Sequence, residues 1–234
     1  MEDFKDRETA QSWDADPVAR NPTRPEQLDV LLSILEGEYR DGKAILDIGM
    51  GSGIVEEIIL RRVAHAYVVG VDASEAMLEI AHRRLREYSG RYEAVVHDFT
   101  QPDTLKLPGR EYQAAISVQA IHNVADEYKL PIFRFVHQTL EPGGIFLLLD
   151  RIAVDTPGLF SAYRSAWERL NRVHGASMRE GDTFEEHTRK VAARGDLPAS
   201  LEQHLVWLRE AGFEAACLHL HANRALFAAR KPHG

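Results

Sequence analysis

Cysteine is almost missing from this chain: Cys217 is the only one in 234 residues. That excludes an internal disulfide framework and any metal site built on several thiolates, and it suits a reducing compartment. Long hydrophobic runs are missing as well. Nowhere do about 18 apolar residues follow one another, the minimum for a membrane-spanning helix. The opening "MEDFKDRETAQSWDADPVARNPTRPEQ" has no apolar stretch of the kind a secretory signal needs. Positive charge is in short supply: 28 Lys and Arg against 36 Asp and Glu leave a net charge of −8. Sequence-independent nucleic-acid binding needs a basic footprint, so nucleic acid is disfavoured as a partner. The absences describe a cytoplasmic globular protein with no membrane association. With 44% hydrophobic residues, the chain can bury the core of one domain spanning 1–234.

What is present is an alternation. After an irregular start, "TRPEQLDVLLSILEGEY" predicts a helix, with Pro25 in the first turn and Leu28, Leu31, Leu32 and Leu35 along one face; residues 1–40 form an N-terminal segment and helix. Apolar runs "KAILDIG", "AYVVGVD", "YEAVVHDF", "YQAAISV" and "IFLLLD" then alternate with helical stretches. One of these, "DEYKLPIFRFVHQTL", should hold Pro131 in or near its first turn; "EPGG" reads as a turn. Continuous apolar strands between helices imply a mainly parallel sheet covered on both faces, a three-layer, doubly wound α/β fold. Residues 151–196 break the rhythm with two helices and no strand, a helical insertion placed to act as a lid. Ser200 and Gln203 have capping-box spacing, and Gly212 stops that helix. Two strand runs close the chain around His-Ala-Asn, and strands joined so tightly must be antiparallel.

The stretch "ILDIGMGSGIVEEIIL" sets three glycines between a strand and a helix, aiming backbone N–H groups at a ligand. The dinucleotide fingerprint requires a glycine where Ile54 stands, and no Lys-Ser/Thr follows to make a phosphate-cradling loop. Asp47 at the strand end would repel a pyrophosphate. It suits a cofactor carrying an ammonium or sulfonium, or else it caps the loop's own N–H groups. Asp72, 23 positions after Gly49, has the spacing of an acid that accepts from ribose hydroxyls, although an N-cap of the next helix is an alternative that Ser74 fills at least as well. Asp98 follows the third strand and could accept from an adenine amine, with Phe99 or Ala73 against the ring.

Together "ILDIGMGSG", "VVGVDAS", "HDF", "AAISVQAIHNV" and "LEPGGIFLLLD" resemble, in order and spacing over roughly residues 25–230, the class I (Rossmann-like) S-adenosylmethionine-dependent methyltransferases. The resemblance implies a seven-stranded sheet with the last strand antiparallel, S-adenosylmethionine as cofactor and S-adenosylhomocysteine as product. It places Asp47, Gly49, Gly51 and Gly53 at the methionine part, Asp72 at the ribose and Asp98 at the adenine, with Ala73, Met77, Phe99 and Gln119 completing the cofactor site. Met50 departs from the family, where cysteine or alanine is more usual.

The resemblance implies a small-molecule methyl acceptor held over strands four and five. His122 is the candidate catalytic base, or a loop residue packed near the cofactor. Arg151 is a candidate for an acceptor carboxylate, or one half of a structural ion pair. Tyr163 and Trp167 are candidate substrate contacts, or part of the face on which the insertion packs. Trp13, Arg20 and Arg24 could close over the site. His219 and His221 share a strand face, but the sequence supplies no third ligand, so no metal is assigned. An RNA-modifying enzyme, an enzyme forming an S-adenosylmethionine derivative, an inactive cofactor-binding regulator and a homodimer stay open as alternatives.

Overall fold

A computed structural model describes residues 23–174 and 181–233, without the His174 side chain; Trp13 and Arg20 lie outside the described residues. The elements, in chain order, are α1 (Arg24–Glu38), β1 (Ala44–Ile48), α2 (Ile54–Arg62), β2 (Tyr67–Asp72), α3 (Glu75–Arg84), β3 (Tyr92–Val96) and β4 (Tyr112–Val118). There follow α4 (Asp126–Thr139), β5 (Leu140–Arg151), α5 (Phe160–His174), α6 (Phe184–Arg194), α7 (Leu201–Glu210), β6 (Glu214–His221) and β7 (Arg224–Arg230). The seven strands form one sheet in the order β3-β2-β1-β4-β5-β7-β6. All pairings are parallel except those of β7, which runs antiparallel to both β5 and β6. The expected reversed last strand is therefore present.

The central strands are apolar throughout because each face meets helices. On one face Leu46, Ile48, Phe146 and Leu148 pack with Ile132, Phe133 and Val136 of α4 and with Leu208 of α7. On the other, Ile45, Leu147 and Leu149 pack with Leu28, Leu31, Leu32 and Leu35 of α1 and with Val55 and Ile59 of α2. Those four leucines are all buried, each contributing roughly 1.5–3 kcal/mol of apolar burial. Pro25 sits in the first turn of α1. Local caps form as the sequence predicts: Ser74 accepts from Met77 N, Ser200 accepts from Gln203 N, and Gly212 takes a φ of +105° after α7.

Two local expectations need correcting. Pro131 lies inside α4, in its second turn just past the first, although the helix begins at Asp126 as the sequence reads; the Glu127 carbonyl consequently receives no N–H from residue 131. "EPGG" is part of β5 rather than a free turn. Leu140 already pairs with Tyr112, and a register shift absorbs the glycines before Ile145 pairs with Ala114.

Candidate functional site

β1 ends at Ile48 and the chain turns over the sheet. Gly49, Gly51 and Gly53 have φ of +85°, +58° and +77°, a region that side chains with a Cβ enter only at a cost. Gly49 is also sterically required, since a Cβ there would lie 2.3 Å from the Cβ of Ala120 and near the Phe99 ring. Among the described residues nothing lies within 4 Å of a Cβ added at Gly51, so they leave its backbone open at the crest of the loop. The N–H of Gly51 donates to Asp72 Oδ2 at 2.9 Å and that of Ser74 to Asp72 Oδ1 at 2.8 Å. Asp72 thus ties the glycine loop to the β2–α3 turn and keeps lone pairs for a ligand. Burial raises its pKa, against the lowering effect of bonds from Ser74, Gly51 and Ala73 N–H groups.

Asp47 is buried beneath this loop and its Oδ1 has no hydrogen-bond donor. Burial, then repulsion from Glu56 and from Asp72, pushes its carboxyl well above the usual range. Glu56 of α2 is fully buried and has both oxygens without a donor; burial raises its pKa too. Sequence reading missed Glu56, although a signal existed: it lies on the buried stripe formed by Val55, Ile59 and Leu60, where an acid is out of place. Arg84 donates to the Ser52 carbonyl and holds the loop from α3.

The other predicted cofactor residues stand in the turns that follow β2, β3 and β4 and in the first turn of α3. Ala73 is half-buried in the β2–α3 turn. Met77 is buried with Ile80 in a small apolar group of its own on α3. Asp98 Oδ1 accepts from Thr100 N and Oγ1 at 3.0 and 2.8 Å, an Asx-type turn. Gln119 adopts a φ of +57° at the end of β4, and its buried Nε2 has no partner. Such strain in a non-glycine residue concentrates at functional sites. The orphaned Asp47 oxygen, the orphaned Gln119 amide and the open loop crest fit a ligand with an ammonium group and further hydrogen-bonding groups.

On the β4–β5 side, His122 follows the end of β4 and Asp150 lies near the end of β5, fully buried. Asp150 Oδ1 meets His122 Nδ1 at 2.5 Å, and Oδ2 accepts from the His122 N–H at 2.8 Å. Arg151 N donates to Oδ1 at 2.7 Å. Burial alone would raise the Asp150 pKa, but attraction to His122 and these bonds bring it below the ordinary value. With Nδ1 against the Asp150 carboxylate, the ring turns Nε2 away from it and toward Asp196. Nε2 stands 4.0 Å from Asp196 Oδ1. Asp196 is paired with Arg151, and Arg194 Nε lies 3.3 Å from its Oδ2. The Leu197 N–H bonds the His122 carbonyl at 2.6 Å, and buried Lys129 donates to the Leu197 carbonyl. No periodicity or spacing marks Asp196 in sequence; the end of the insertion carries it there.

Tyr163 and Trp167 lie in the insertion. Trp167 is buried against Phe160 and His187, at centroid distances of 5.8 and 5.4 Å, and the Tyr163 ring lies tilted beside it at 6.1 Å. Arg24 is buried at the start of α1, within the field of Glu56. Among the described residues, no three His, Cys, Asp or Glu side chains are placed to hold a metal ion, and no helix is long and apolar enough to cross a membrane.

The sequence matches a methyltransferase domain family over residues 45–144. It is 24% identical to a carboxy-S-adenosyl-L-methionine synthase of Nautilia profundicola over 89% of this chain and 86% of that protein. It is 33% identical to a ubiquinone biosynthesis O-methyltransferase of Ruegeria pomeroyi, over 53% of this chain and only 50% of that relative. In structure it is similar to an O-methyltransferase family protein from Burkholderia thailandensis, with a TM-score of 0.70 and 15% identity over 99% of this chain and 62% of that one. It is also similar to a phosphoethanolamine N-methyltransferase of Haemonchus contortus in complex with S-adenosyl-L-methionine, with a TM-score of 0.65 and 19% identity over 88% and 52%.

Proposed function

We propose that this chain, which belongs to the class I S-adenosylmethionine-dependent methyltransferases and uses that cofactor, methylates a small-molecule acceptor with His122 as general base. The observation that carries this reading is the His122–Asp150 pair, with Nε2 turned away from the buried carboxylate. When bound, the cofactor supplies a methyl group on a sulfonium and leaves as S-adenosylhomocysteine. Asp47 with the backbone of Gly49, Gly51 and Gly53 would hold the amino-acid end. Asp72 would accept from the ribose hydroxyls, and Asp98, Ala73 and Phe99 would meet the adenine. Met77 and Gln119 would complete the wall.

The chain's own groups then have three tasks. The glycine loop and Gln119 fix the cofactor so that the acceptor approaches in line. His122 Nε2 takes the proton of an acceptor hydroxyl or amine, while Asp150 holds the imidazole in that tautomer. The insertion, whose last residues already contact His122, excludes water, with Tyr163 held against Trp167 as its acceptor-facing ring. Arg151 would receive an acceptor carboxylate by exchanging its bond to Asp196. The net charge of −8 supports a small acceptor over a nucleic acid, and the single cysteine supports a cytoplasmic setting.

A second reading has its own support: the carboxy-S-adenosyl-L-methionine synthase relative aligns along most of both chains. An enzyme of that kind would modify the cofactor and transfer no methyl. Incubation with methyl-labelled S-adenosylmethionine and fractionated extract separates the two. Label passing to a small-molecule fraction supports methyl transfer; label retained on an altered cofactor supports the second reading.

A further inference from the structure

Asp47 and Glu56 approach each other from β1 and α2 with no donor between them. Three of their four oxygens, Asp47 Oδ1 and both of Glu56, are buried without a hydrogen-bond partner, and the two carboxyls lie within hydrogen-bonding reach of each other. Two acceptors can bond only through a shared proton, and two like charges out of water are strongly disfavoured. The described charges near the pair act unequally on its two members. Asp72 on β2 adds negative potential, whereas Arg24 on α1 and Arg84 on α3 offset Glu56. The residues beside Asp47 in the sheet, Gly70 and Ile116, are apolar.

We infer that Glu56 is a positioning residue for the cofactor's amino-acid end: it shares one proton with Asp47, and seating an ammonium on Asp47 expels that proton to solvent. Before the ligand arrives, the shared proton keeps Asp47 neutral and turned toward Glu56. The incoming ammonium replaces the proton as the positive partner of the pair, and Arg24 stabilises the Glu56 carboxylate. Cofactor affinity therefore rises with pH until the pair is ionised in the free protein. This rests on Asp47 holding the amino-acid end of the cofactor, and its test is separable from that assignment.

The experiment is calorimetric titration of the full chain in buffers of different ionisation enthalpy, which counts protons released on binding. S-adenosylhomocysteine should release up to one proton, and its affinity should gain up to tenfold per pH unit below the pair's titration. Methylthioadenosine, which lacks the amino-acid group, should release none. In Glu56→Gln, whose amide donates to Asp47 permanently, the release should vanish and affinity become flat with pH. Release that persists in Glu56→Gln, or that methylthioadenosine also causes, overturns the inference, as does wild-type binding without release. That last arm decides the matter even if the variant does not fold. A uniform loss of affinity in Glu56→Gln with release intact would mark a structural role only and equally overturns it. Absence of any binding would instead remove the Asp47 assignment on which the inference rests.

Discussion

The side chain of Met50 occupies the space that a Cβ on Gly70 would fill. A Cβ at residue 70 would lie 2.3 Å from Met50 Sδ and 2.8 Å from Met50 Cβ. Met50 belongs to the glycine loop and Gly70 to β2, where a glycine inside a strand otherwise weakens it. The unusual methionine of the loop and the glycine of the neighbouring strand thus fit as a pair. Gly70→Ala should destabilise the protein by about 1–3 kcal/mol through overpacking. Adding Met50→Ala should recover part of that loss, a coupling that denaturant unfolding of the single and double variants would measure. Strictly additive effects would show that the contact carries no energy.

Gly49 and Gly51 should separate steric from conformational cost. Gly49→Ala meets Ala120 as well as an unfavourable φ, so it should lower both stability and cofactor affinity. Gly51→Ala meets, among the described residues, no steric neighbour and carries the φ cost, about 1–2 kcal/mol, with its methyl standing over the crest. Its loss of S-adenosylhomocysteine binding free energy should therefore exceed its loss of unfolding free energy, the reverse of a folding defect.

Asp72→Ala should weaken S-adenosylmethionine binding by about 1.5–3 kcal/mol, the cost of losing charged hydrogen bonds, and also frees the Gly51 N–H. Equilibrium titration reads the change. Unaltered affinity would remove Asp72 from the ribose and leave it as the tie between two loops.

The His122–Asp150 pair predicts an acid-side signature. Asp150 has a lowered folded pKa, so its stabilisation is present above the unfolded value, near pH 3.9, and is lost as pH falls through the folded one. Asp150→Asn removes a buried carboxylate bonded to His122 and Arg151 N and should cost about 1.5–3 kcal/mol at neutral pH. Its unfolding free energy should also lose part of the wild-type decline toward acid pH. His122→Asn should leave cofactor affinity nearly unchanged and lower turnover by about 10²–10⁴-fold if Nε2 is the base. Unchanged turnover would assign His122 to anchoring alone.

Much of the fold was legible because its signals are local. Ser74 and Ser200 cap helices through residues three positions ahead, and the glycines announce their loop by spacing alone. The β6–β7 reversal follows from a connection too short for a crossover. Where a boundary was misread, it was that of β5, which extends back through the glycines, while α4 begins at Asp126 as read and carries Pro131 in its second turn. The side proposed for the acceptor was only half legible. His122 and Asp150 stand at strand ends, where position alone suggests a site, but the carboxylate facing Nε2 comes from Asp196, 74 residues along the chain from His122.

The sequence by itself determined the alternation of strands and helices, the glycine loop and the acids at the ends of the first three strands, because these depend on residues adjacent in the chain. Only the tertiary structure decided which charges meet. Packing α2 against β1 brings Glu56 to Asp47, and folding the end of the insertion onto β5 closes Arg151 with Asp196 and sets both beside His122. Such pairings depend on helix orientation and on the burial of charges that no local pattern records. They decide where protons reside in the site, and with that how the site can work.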